Sequence, residues 1–368
     1  MIYLLERKYR DVVYINFEDI VFRKMKPEEF FEVIKIFVEV KGFSPRTLLL
    51  DEVQVVEDWQ RLLRSLLERG YKIFITGSSS KLLGRELATE LRGRTISYFL
   101  FPFSFREFLI AKNFEIKDHY TMEETGKILG LLKTYLTESG YPEVIFSEEK
   151  QRLIRSYFDE IFLHDFVERH KIRSIDFGKF LFEYFFQNFS KEVSINKIKN
   201  YLRTNIGFSD TTIYEYVEKL QDTLAVFFID RFSKSFYQRR SWPKKVYIVD
   251  GGISSILKFS EDIGKLMENC VFIELMRRKN KRPFEEVFYL KINDSEIDFI
   301  VKEGNYISEI IEVTYDRGEQ KKIRNIARAM EILNCASSKI ITWDYEDQIV
   351  FNNKSIRCIP LWKWLLNI

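Results

Sequence analysis

Toward the start of the chain, short apolar runs alternate with amphipathic stretches, the rhythm of strands and helices taking turns. Asp11-Val12-Val13-Tyr14-Ile15-Asn16-Phe17-Glu18, Thr47-Leu48-Leu49-Leu50 and Tyr71-Lys72-Ile73-Phe74-Ile75 have the length and the β-branched or aromatic content of strands. Residues 2–9 have the spacing of a helix tail. Strands and helices in alternation predict a parallel α/β sheet, which the aromatic segment 99–108 then leaves. Residues 127–137 and 152–169 read as helices, with Gly140-Tyr141-Pro142 breaking between them. Over 192–231 the pattern is helix, a turn at Gly207, a helix opening at Ser209, and an apolar run 224–229, the outline of a winged helix. Beyond it come a helix carrying Glu274 and two strands, 296–301 and 307–314. The expected domains are 1–110, 111–240 and 241–368.

Candidate chemistry enters at Leu48-Leu49-Leu50-Asp51-Glu52. An apolar strand ending in Asp-Glu is the second half of an ATP-hydrolysing site, where the Asp holds the Mg²⁺ of the nucleotide and the Glu polarises the attacking water. The pattern also fits a buried strand that merely meets a loop. The next strand favours the chemical reading, because it ends in Thr76-Gly77-Ser78-Ser79-Ser80, where such an ATPase places the residue that senses the γ-phosphate. The first half of the site, G-x-x-x-x-G-K-[ST], occurs nowhere in the 368 residues. Gly126-Lys127, Gly178-Lys179 and Gly264-Lys265 are followed by Ile128, Phe180 and Leu266, and all lie after the acidic strand. In a phosphate-loop fold the order is loop, helix, strand, so the helix tail at 2–9 places Met1 just past the point where a loop would end.

Composition adds exclusions. Hydrophobic residues make up 46% of the chain, with 34 Phe and 19 Tyr, enough to fill several cores and too many for a disordered tail. Cys270, Cys335 and Cys358 show no paired spacing and His119, His164 and His170 complete no Cys/His metal motif, which fits a reduced, cytoplasmic setting. No apolar run reaches the length of a membrane span, and no signal-peptide pattern opens the chain. A net charge of +3 is too balanced to argue nucleic-acid binding by itself.

The order of these motifs resembles the prokaryotic, archaeal-type AAA-family ATPases that carry a winged-helix segment and a PD-(D/E)xK nuclease-like C-terminal domain. The matching stretches include Leu48 to Gln54, Ile75 to Ser79, Gly93-Arg94, Phe101-Pro102-Phe103-Ser104-Phe105-Arg106-Glu107-Phe108, Gly140-Tyr141-Pro142-Glu143, Lys245 to Gly252, Glu268-Asn269 and Glu296-Ile297-Asp298-Phe299. The resemblance implies an α/β protein: a P-loop NTPase-like parallel sheet, here without its first strand and phosphate loop, a helical and winged-helix middle, and a restriction-endonuclease-like C-terminal domain. It implies ATP with Mg²⁺ as cofactors of a form that has the loop. Asp51 would be the metal ligand and Glu52 the catalytic base, with Thr76 or Ser78 as sensor and Arg94 as charge stabiliser.

For the last domain the resemblance implies a second Mg²⁺ site, at Glu274, Asp298 and Glu312. A nuclease of this kind ends in E-x-K, whereas here the triplet is Glu312-Val313-Thr314. Thr cannot supply the cation that stabilises a developing phosphorane, so cleavage is expected to be reduced or lost unless Lys291 or Lys302 substitutes. Three readings follow: an ATP-dependent switch, a metal-dependent nuclease, and a non-catalytic DNA- or protein-binding module. DNA, other proteins or a second copy of the chain are the partners they allow. In the winged-helix outline, Thr211, Thr212, Tyr214 and Glu215 would face a groove while Lys197, Lys199, Arg203 and Lys219 meet phosphates, and 231–245 supplies a denser basic stretch. A packing module and a solvated loop would look the same.

Overall fold

The computed structural model describes residues 11–77, 94–205, 210–257, 262–293, 295–316 and 320–368, side chains excepted at 201–211. The expected helix tail at 2–9 and the candidate sensor Ser78 lie outside the described residues. By its contacts the chain divides into two compact units, Met1–Tyr98 with Asp222–Leu224, and Phe99–Gln221 with Ala225–Ile368.

The first unit is a three-stranded parallel sheet in the order β1 (Val12–Asn16), β2 (Thr47–Asp51), β3 (Lys72–Ile75). Its crossovers are α1 (Phe30–Lys41) and α2 (Trp59–Glu68). The central strand explains its own sequence: Leu48, Leu49 and Leu50 are fully buried, so both faces of β2 are apolar and its pattern is continuous. On β1 the pattern alternates, with Val13 and Ile15 inward and Tyr14 outward. Trp59, Leu62, Leu63 and Leu66 recur at helical spacing and turn one face of α2 into the core. Gly42 ends α1 in the left-handed region at φ 74°, where its N–H reaches the Val38 carbonyl. This mixed α/β arrangement matches the expected P-loop-like sheet.

The second unit opens on helices: α3 (Phe105–Ala111), α4 (Met122–Glu138), α5 (Pro142–Phe146), α6 (Lys150–Glu160) and α7 (Ile175–Gln187), with one stretch of π-helix over Ile161–Glu168. Ser104 and Thr121 each close a capping box with the Glu three residues on, which fixes where α3 and α4 begin. The aromatic segment leaving the first sheet belongs here, since Phe101, Phe105 and Phe108 are buried in the second unit's core.

Next come β4 (Lys191–Val193), α8 (Ile195–Asn205), α9 (Asp210–Asp222), β5 (Val226–Ile229), α10 (Phe236–Ser241) and β6 (Lys244–Ile248). β6 is central in an antiparallel sheet ordered β4-β6-β5. A long helix, α11 (Ile263–Arg278), leads to a six-stranded mixed sheet. Its strands are β7 (Glu285–Ile292), β8 (Ser295–Glu303), β9 (Tyr306–Val313), β10 (Ser338–Thr342), β11 (Asp347–Phe351) and β12 (Lys354–Pro360). The spatial order is β11-β12-β10-β9-β8-β7, with α12 (Gln320–Ile332) following β9 and α13 (Leu361–Leu366) closing the chain. Period-two alternation splits this sheet between two cores. Phe299, Val301 and Ile311 face the core containing α11, while Ile300, Ile310 and Ile340 face that containing α12. No described helix is long and apolar enough to cross a membrane.

Candidate functional site

In the first unit, parallel register brings the ends of three strands together. Asn16 pairs with Asp51 and Leu50 with Ile75, so the residues that follow emerge along one edge of the sheet. There the Asp51 carboxylate accepts a hydrogen bond from the Tyr14 hydroxyl at 2.9 Å and another from the Thr76 hydroxyl. Glu52 takes a left-handed conformation at φ 51°, uncommon for a non-glycine residue though shared here with others such as Asp58 at φ 53°. Its carboxylate accepts from the Gln54 amide. Asp51 and Glu52 are each half-buried, within reach of solvent. Asp51 and Thr76, both singled out from the sequence, are thus hydrogen-bonded to each other, with Tyr14 as a third partner. Arg94 is exposed, and no ion pair joins it to Asp51 or Glu52 among the described residues.

The acids and hydroxyls of this cluster cover only part of what a nucleotide needs. The carboxylate at the strand end, the acid beside it and the neighbouring hydroxyl suit a hydrated Mg²⁺ and a positioned water. The backbone cradle and lysine that would meet the phosphates correspond to no motif in the sequence.

In the second unit the candidate acids are arranged otherwise than the sequence suggested. Lys245, on β6, is 1% exposed, and its ammonium lies 2.9 Å from Asp298, 2.8 Å from Glu268 and 2.5 Å from Glu296. Tyr247 donates to the same Glu268 oxygen at 2.7 Å. On the other side of Asp298, its second oxygen accepts from the Val313 N–H at 2.9 Å, and its own N–H points to Glu312 at 3.3 Å. Lys322, from α12, completes the chain 3.0 Å from Glu312.

Asp298 and Glu312 are therefore neighbours, as expected. Glu274 belongs elsewhere: its partner is Arg277 at 3.1 Å. Glu268 and Glu274 are six residues apart on α11, which at ~100° per residue turns them about 120° away from each other. Lys291 and Lys302 also go elsewhere, to Glu192 and Glu286. Thr314 uses its backbone, donating to the Ile341 carbonyl at 2.9 Å.

Protonation follows from this geometry. Burial alone would lower Lys245, but Asp298, Glu268 and Glu296 outweigh it and hold its ammonium well above the usual lysine range. Burial, reinforced by the Asp298 charge, pushes Glu268 up to about 8. The same two causes raise Glu312. Asp298 is held low, because Lys245 and Lys322 together overcome its own burial. Among the described residues no group of three or more His, Cys, Asp or Glu side chains is arranged to hold a metal ion. The ammonium of Lys245 fills the space between Asp298, Glu268 and Glu296.

The remaining motifs are structural. Asn269, next to Glu268, pairs its side-chain amide with both backbone groups of Ile248 at 2.9 Å. Asp250 is buried and accepts from the N–H groups of Gly140 and Gly252 at 2.7 and 2.8 Å. Gly140 is pressed against the Phe103 carbonyl, so Phe101 to Phe108, Gly140 to Glu143 and Lys245 to Gly252 meet in one close-packed knot.

Comparison with known proteins gives three domain matches. Residues 1–109 match the AAA domain, residues 129–262 a domain of unknown function, DUF8612, and residues 263–364 another, DUF4143. A protein of Methanocaldococcus jannaschii described as uncharacterized is 37% identical over 97% of this chain and 82% of its own length. The chain belongs to the same family. A second relative, an uncharacterized protein of Haemophilus influenzae, is 28% identical over 97% of the chain and 86% of its own length. No solved structure matches. The first unit of this family member thus matches an AAA domain in sequence and carries a parallel sheet consistent with a P-loop-like fold.

Proposed function

We propose that the protein is an AAA-type molecular switch whose first unit contributes the metal, water and sensor half of a nucleotide site. The observation that carries the reading is the meeting of Asp51, Thr76 and Tyr14 at one edge of the parallel sheet, with Glu52 held left-handed beside them. ATP with Mg²⁺ is the cofactor that chemistry suits: Asp51 and Thr76 would hold the hydrated ion, and Glu52 would accept the proton of the attacking water. The thermodynamic lever of such a switch is the loss of the γ-phosphate, which changes the hydrogen bonding of Thr76 and Asp51. The second unit is then the body that meets a nucleic acid or protein partner.

Calorimetric titration with Mg²⁺-ATP tests this reading. The 368-residue chain binds weakly, because its sequence holds no phosphate cradle or lysine of the loop type. A chain fused upstream to a strand and phosphate loop gains affinity and hydrolyses ATP, and Glu52→Gln stops hydrolysis while leaving binding intact. Micromolar affinity in the 368-residue chain, or equal hydrolysis by the Glu52→Gln form of the fusion, overturns the proposal.

The nuclease reading lacks a comparable observation, because the acids it needs are paired with Lys245 and Lys322.

A further inference from the structure

The segment between β5 and β6 is strongly basic. From Arg231 to Lys245 it holds six Lys or Arg residues and no Asp or Glu. Its base is rigid. Asp230 and Phe232 bond to the backbone of Tyr289 on β7 at 3.2 and 2.7 Å, forming a short parallel bridge, and the Phe232 ring packs on Phe288. Lys244 pairs with Asp230 across the base at 2.5 Å, and the Arg231 guanidinium lies over the Trp242 ring.

The tip is held as firmly. Ser235 caps α10, Ser233 bonds the Gln238 side chain at 2.7 Å, and Arg239 donates to the Ser233 carbonyl. On this fixed tip Phe236 is 66% exposed and Tyr237 80% exposed. The guanidinium groups of Arg239 and Arg240 lie 5.8 and 5.5 Å from the centre of the Phe236 ring. Among the described residues Lys234, Arg239 and Arg240 have no carboxylate within ion-pair distance.

Helix α9, the other surface the sequence offered to a nucleic acid, looks different. Its Lys219 is paired with Glu215 at 2.7 Å, and Tyr214 is bonded to Asn196. The side chains of Arg203 and Thr211 are outside the described set.

The tip thus presents two solvent-facing aromatic rings beside three cations. They suit a ligand that alternates flat π-faces with anionic groups. We propose that the 230–243 tip binds single-stranded nucleic acid, with bases stacked on Phe236 and Tyr237 and phosphates held by Lys234, Arg239 and Arg240. Stacking needs unpaired bases, so a strand is favoured over a duplex, whose π-faces are already covered. The site is independent of the nucleotide reading of the first unit.

Fluorescence anisotropy of the whole chain with labelled oligo-dT and oligo-U of about 15 nucleotides tests the proposal. Binding is expected at about 50 mM KCl, weakening with a log–log salt slope of roughly 2, from three phosphate contacts at ~0.7 each. The double variant Phe236→Ala/Tyr237→Ala binds about tenfold or more weaker with the same slope, since stacking is lost and the cations stay. The triple variant Lys234→Gln/Arg239→Gln/Arg240→Gln loses the slope. All five positions are on the surface, and circular dichroism of each variant checks that the fold is kept. Binding of either sugar supports the proposal, and the preferred oligomer identifies the natural class. No binding at the low salt, tighter binding of a duplex of the same length, or unchanged affinity in the aromatic double variant overturns it.

Discussion

Replacing Lys245 by Met isolates what the buried ion cluster does. The substitution nearly preserves length and apolar volume, so the main loss is the charge. That charge sits 1% exposed against Asp298, Glu268 and Glu296, all within 3 Å. Removing one partner of a buried pair typically costs ~3–5 kcal/mol, because the carboxylates left behind stay out of water without a counter-ion. Asp298 would keep the Val313 N–H and Glu268 the Tyr247 hydroxyl, which places the expected loss near the lower end, about 3 kcal/mol at pH 8. For a unit of this size each kcal/mol moves the midpoint by about 2–4 °C, so a fall of roughly 6–12 °C is expected in the transition of the second unit. The loss shrinks in acid, where protonation relieves the uncompensated carboxylates. Calorimetry at two pH values reads both effects.

A second reading of the same variant separates a structural lysine from a tethered cation. With the ammonium gone, three carboxylates from α11 and β8 face one point, and Mn²⁺ in excess should raise the variant's midpoint by mass action while leaving the native chain unmoved. A destabilisation below about 1 kcal/mol would refute the buried-pair argument, and a variant blind to Mn²⁺ would show that the three carboxylates serve the lysine alone.

Three further outcomes follow. Glu268 has its pKa raised from 4.5 to about 8 when folded, so its contribution to stability is complete below about pH 4.5 and is lost by the time pH has risen through about 8; Glu268→Gln should flatten the fall in urea midpoint that the native chain shows between about pH 4.5 and 8. Gly252→Ala would drive a methyl into the Glu138 carbonyl and the Ser139 backbone, neither of which can yield, and should destabilise the second unit by about 1–3 kcal/mol in urea titration. The native chain should not cut single- or double-stranded DNA with Mg²⁺ or Mn²⁺, and metal-dependent cleavage that vanishes in Asp298→Ala would show the acids to be catalytic.

What the sequence disclosed follows from where the physics is local. The parallel sheet of the first unit was legible because β2 is buried on both faces and therefore apolar throughout, and because the chemistry of that fold lies at strand ends. Helix limits were legible in the same way, through Ser104 with Glu107 and Thr121 with Glu124. The ion cluster was not, because its members come from β6, α11, β8, β9 and α12, and which acid of α11 faces the strands depends on the rotation of that helix. No residue of α11 is fully exposed, so no polar stripe marks its outward face and Glu274 looked as good as Glu268.

A signal for Lys245 did exist. It stands in a strand whose next three residues, Val246, Tyr247 and Ile248, are fully buried, and a lysine in such company must meet acids from elsewhere in the chain. That requirement also bears on the missing lysine of the nuclease-like triplet. A cation is present beside Asp298 and Glu312 despite Thr314, but it arrives twice, from β6 and α12, and each ammonium is already bonded to the carboxylates that would have to bind a metal. Catalysis by such a site needs acids free to ligate and a cation free to meet the transition state. Here each supplies the other's counter-charge, which is why the cluster reads as a device that fastens β6 to the large sheet rather than as a centre of reaction.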